Sequence, residues 1–191
     1  MKELLDFLNS NFGLLISGAV ISGLIVQYIA SRWQRRSWLF EQQYAAEMAM
    51  FDKELDQKYK LLEDINTAVA AVLAHSRFAI AAYLKSVPAE QLNQQISSYN
   101  DAVLKWDSDF GLYLIRLKTL FPDEGTLKQL ESIKARRDDL DVAIYELTSG
   151  SEKSPEGSFA LLEKISDLTV GLSRHIIAEI QTMKSRQLVQ K

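Results

Sequence analysis

The sequence predicts an all-α protein: one N-terminal transmembrane helix continuing into a long helix, followed by an antiparallel helical bundle of about four helices. Three observations predict it. Residues 12–30 form an apolar run without a charge. No proline or glycine follows from Ser31 until Pro88, so nothing breaks a helix there. Beyond the run, apolar residues recur in steps of three and four, with no period-two alternation that would mark a strand. The expected division is a tail at 1–11, a transmembrane helix at 12–30, a juxtamembrane stalk at 31–60, a bundle at 61–186 and a frayed end at 187–191.

Composition sets the outer bounds. Hydrophobic residues make up 47% of the 191 residues, yet mean hydropathy is -0.09, so the apolar residues are local or periodic and do not form several spans. The net charge of -3 supplies no basic field for nucleic acid. The absence of cysteine removes disulfides, thiolate catalysis and cysteine-ligated metal.

The run at 12–30 reads FGLLISGAVISGLIVQYIA. At 1.5 Å per residue it spans roughly 28 Å, close to the hydrocarbon thickness of a bilayer. It is apolar on every side, as a helix in lipid must be. Asn9, Ser10 and Asn11 are good caps before it, and Trp33 and Trp38 follow where an aromatic belt sits. A cleaved signal peptide would need a basic lead-in. Instead Lys2 is balanced by Glu3 and Asp6, while Arg32, Arg35 and Arg36 cluster behind the span. The same three arginines place the C-terminal body in the cytoplasm and the N-terminus outside, with a bacterial inner membrane as the expected setting. Arg32, Trp33, Arg35, Arg36 and Trp38 are the membrane-interface residues of this reading, and lipid is its first partner.

Small residues recur four apart in the span, at Gly13 and Ser17, at Gly18 and Ser22, and at Ala19 and Gly23. That spacing allows helices to approach closely, so Gly13, Ser17, Gly18, Ser22 and Gly23 are candidate transmembrane packing positions.

In the body, the first helix carries the seam Phe51, Leu55, Lys58, Leu62, Ile65, Val69, Val72, Ser76, Ala79 and Tyr83, with Phe40, Tyr44 and Met48 extending it backwards. The second, from Pro88, carries Leu92, Ile96, Tyr99, Val103, Trp106, Phe110, Tyr113, Leu117 and Leu120 in strict alternation of four and three. The third is expected to be capped at Thr126, with Gln129 completing a capping box. The stretch 148–157, TSGSEKSPEG, is the linker, with Ser154 and Pro155 as cap and first turn. The last helix carries Leu161, Ile165, Leu168, Leu172 and Ile176, and a basic tail follows from Lys184. Short links between consecutive helices favour antiparallel neighbours.

Two charges stand out as candidates for burial. Arg77, beside His75, lies at the centre of the apolar stretch 68–84 and would mark a polar site if that stretch entered the membrane. The preferred reading is a packed bundle helix. Arg137 falls on the seam of the third helix and needs a partner there, Asp107, Asp109 or Asp141. Neither His75 nor His175 has an acidic residue three positions before it, so a carboxylate-bridged metal centre is not expected. No nucleotide-binding, nucleophile-elbow or zinc-protease motif occurs, and neither enzymatic activity nor a cofactor is expected.

What remains is an expectation of a scaffold or adaptor. A membrane-anchored bundle would oligomerise or recruit a protein partner at the cytoplasmic face. Two other readings are a small membrane effector that self-assembles and perturbs the bilayer, and a sensor whose bundle holds a ligand near Trp106 or His75.

Overall fold

The structure is a computed structural model that describes residues 11–149 and 155–189, with side chains described from Ser22 apart from those of Ile25, Leu188 and Val189. Four helices follow one another: α1 (Asn11–Leu84), α2 (Ala89–Leu120), α3 (Glu124–Thr148) and α4 (Pro155–Val189). No strand occurs among the described residues. The apolar run and the first bundle helix are thus one element. Among the described residues one helix, Ser22–Leu84, is long and apolar enough to cross a membrane by length and composition. The expected tail at 1–11 lies outside the described residues except Asn11, where α1 begins.

The chain divides into two compact units, Met1–Lys53 and Glu54–Lys191. In the second, the seams pack as a core. Leu62, Ile65 and Val69 of α1 are buried, as are Tyr99, Trp106 and Leu117 of α2, Leu130, Ile133 and Leu140 of α3, and Ile165, Leu172 and Ile176 of α4. Each fully buried Leu or Ile contributes roughly 1.5–3 kcal/mol. Neighbours run in opposite directions, because partners descend one helix as they ascend the other. Tyr59 meets Lys184 and Asn66 meets Ser173 between α1 and α4. Tyr99 meets Asp141 and Asp107 meets Arg137 between α2 and α3.

The ends of the helices depart from expectation in four places. Leu55 and Lys58 are already buried, so the bundle starts earlier than residue 61. α3 begins at Glu124, and its cap is Asp123, whose Oδ2 accepts from the Thr126 N–H at 3.1 Å and from its hydroxyl at 3.4 Å. Thr126 is therefore capped and does not cap, and Gln129 Oε1 is buried without a donor. On α4 the buried leucine is Leu162, with Leu161 half-buried beside it. Of the end expected to fray, 187–191, residues 187–189 are helical and 190–191 lie outside the described residues.

Between α1 and α2 the chain turns through a Schellman motif. The Ser86 N–H donates to the Tyr83 carbonyl at 3.0 Å and the Val87 N–H to the Ala82 carbonyl at 3.2 Å. Ser86 has φ +51°, the left-handed conformation that glycine usually supplies at this position. Ser154, the expected cap of α4, lies outside the described residues.

Candidate functional site

The chemistry nearest the apolar run is a set of exposed side chains. Arg32, Trp33, Arg35, Arg36 and Trp38 follow one another on α1, all open to the surroundings. Trp33 is 76% exposed and Trp38 58%. Upstream, Leu24, Val26, Tyr28 and Ile29 are also exposed, and downstream so are Leu39, Phe40 and Met50. A lone helix does not leave this much apolar surface in water without a reason. Of the small residues, Ser22 and Gly23 are exposed, and a Cβ at Gly23 would meet nothing within 4 Å. The surroundings of Gly13, Ser17 and Gly18 lie outside the described residues, although the backbone there is helical.

The two arginines separate. Arg77 is exposed, because Ser76, Ala79 and Ile80 take the inward positions of its turn. It is not a buried charge, and the apolar stretch around it packs one face into the bundle. Arg137 is buried, at 4% exposure. Its guanidinium donates to Asp107 of α2 and lies 2.6 Å from Asp138 one position along α3. Lys134 joins the same cluster, 2.9 Å from Asp138 and 3.7 Å from Asp107. Two cations of α3 thus share the carboxylate of Asp107 across the α2–α3 interface and that of Asp138 on their own helix. Of the partners expected from sequence, Asp107 is the one used. Asp141 instead accepts from the Tyr99 hydroxyl at 3.2 Å. Burial, with the Asp141 charge behind it, drives the Tyr99 phenol well above its ordinary pKa. Burial and Asp109 raise Tyr113 as well.

Lys58 is a buried cation that the seam pattern concealed. Its Nζ lies 3.3 Å from Glu54, 2.9 Å from Met183 Sδ and 4.6 Å above the Phe121 ring. The only signal in the sequence was a lysine at a position where the period demands an apolar residue. The histidines serve other ends: His75 is half-buried, and His175 Nε2 stands 3.2 Å from the capping carboxylate of Asp123. Among the described residues no group of three metal-ligating side chains converges.

A groove of about 510 Å³ runs between α1 and α2. Trp106, Leu112, Tyr113 and Ala71 give it apolar walls, and Asp64 and Arg116 close it with an ion pair at 2.7 Å. The Trp106 ring sits 5.7 Å from Phe110 and 5.9 Å from Tyr113, and its Nε1–H, though buried, has no acceptor. No known protein family, curated protein or solved structure matches the chain.

Proposed function

We propose that the chain is a membrane-anchored helical scaffold, which holds its four-helix bundle at the cytoplasmic face and gathers protein there. One observation carries this reading. From Leu24 to Phe40, the described large apolar and aromatic side chains of α1 are exposed, with three arginines just past the apolar run. Lipid accounts for the first part, and the arginines with Trp33 and Trp38 suit the headgroup layer on the cytoplasmic side. The bundle adds stability and surface. A reporter that fluoresces only in the cytoplasm, fused after Lys191, tests the orientation. Fluorescence supports the reading; a dark fusion, with signal from an export-dependent reporter at the same point, overturns it.

A second reading has an observation of its own. The groove beside Trp106 is of small-molecule size and carries an unused buried donor. It favours a bundle that senses a ligand. A thermal-shift screen of the detergent-solubilised chain separates the two: a compound that raises Tm, and fails to do so in Ala71→Trp, supports sensing.

A further inference from the structure

We infer that α1 pairs with a second copy of itself, parallel and in register, through one face running from Gly23 to Tyr44. This rests on the anchored reading above, which makes two copies cross the membrane in the same sense and at the same depth. The positions Val26, Ala30, Trp33, Ser37, Phe40 and Tyr44 alternate steps of four and three, which is the seam of a two-stranded coiled coil. All six are exposed along one continuous helix. Gly23 begins the seam four positions after Ala19 and in phase with it, so small residues lie where the helices would cross in lipid and aromatic residues where they would meet outside it.

Lipid does not cover the outer half. At 1.5 Å per residue, Phe40 lies about 15 Å and Tyr44 about 21 Å beyond residue 30, past a headgroup layer of roughly 5–8 Å. Charge then selects the occupant. When the seam is laid out as a heptad, Arg36 takes the flank on one side and Glu41 the flank on the other, five positions on. In a parallel pair those two positions face each other across the interface, so Arg36 of each copy meets Glu41 of the other, twice by symmetry. Arg35, by contrast, sits on the far side of the helix and does not oppose its counterpart. The seam ends at Glu47, where the next position would place two carboxylates together.

The chain has no cysteine, so single cysteines can be introduced without background. Ser37→Cys and Tyr44→Cys occupy the seam; Arg35→Cys and Gln42→Cys point away. Membranes carrying each variant are oxidised and run without reductant. Disulfide-linked dimers at 37 and 44, and not at 35 or 42, are expected. Adding Glu41→Arg to Ser37→Cys should lower the dimer about threefold, and adding Arg36→Glu to that should restore it. Monomers at every position, or equal linkage at every position, overturn the pairing. Recovery of each variant in membrane or supernatant is read from the same samples. Unlinked protein in the membrane sinks the pairing alone, whereas protein in the supernatant sinks the anchor.

Discussion

Arg137 of α3 and Asp107 of α2 form a charged contact with unequal burial: the arginine side chain is 5% exposed and the aspartate 40%. The asymmetry decides what each substitution does. Asp107→Ala strips the buried cation of one of its two carboxylates and leaves Asp138 to hold it. Stability should fall by about 2 kcal/mol. Arg137→Met fills the same seam position with an apolar chain, and the released Asp107 rehydrates at the surface. That change should cost about 1 kcal/mol or less. Urea unfolding of both variants in detergent checks the order. A larger loss for Arg137→Met would mean the cluster stabilises the interface more than it burdens it.

Ser86 offers a gain. A non-glycine residue in the left-handed region costs roughly 1–2 kcal/mol, and the Schellman bonds around Ser86 need that conformation. Ser86→Gly should therefore raise stability by about 0.5–1 kcal/mol after the extra entropy of glycine is subtracted. Thermal unfolding of the two proteins gives the sign directly.

Gly125 should resist substitution for a local reason. A Cβ there would fall 2.7 Å from Asp123 Oδ2, the oxygen that caps α3. Gly125→Ala displaces the cap, and Asp123→Ala removes it. Each should lower stability by about 1 kcal/mol, and the double variant should lose little more than either alone. Additive losses would show that the two residues act separately.

Alkaline pH should weaken the bundle. Tyr99 and Tyr113 hold their protons more tightly folded than unfolded. Below about pH 10 both states are protonated and stability is level. Above it the unfolded chain releases protons that the folded one keeps, so stability declines by about 1.4 kcal/mol per pH unit for each tyrosine while it remains protonated in the fold. Tyr99→Phe should make that decline shallower. An unchanged slope would remove Tyr99 from the explanation.

Much of the bundle was legible because a repeating period leaves a strong trace. The α2 seam is buried from Tyr99 to Leu117 and half-buried at its ends, Leu92, Ile96 and Leu120, and Arg137 was readable as a charge out of place. What escaped is what a period does not encode. Ser86 is an ordinary residue in a conformation that its type does not announce. Asp123 and Thr126 both suit a cap, and local sequence does not rank them; the structure uses the aspartate, with Gly125 leaving room for it. Arg77 lies beside the seam positions Ser76 and Ala79, which are buried and leave it outward, so the seam was the better guide than the apolar stretch around it. Lys58 was hidden by its own seam, since its burial depends on Phe121 and Met183, which are distant in sequence.

The anchor is tested most directly by fractionating cells that express the full chain and washing the membranes with alkaline carbonate. The account predicts that the chain stays in the pellet until detergent is added, and that a chain lacking residues 1–30 moves to the supernatant. Full-length protein in the supernatant without detergent would contradict it.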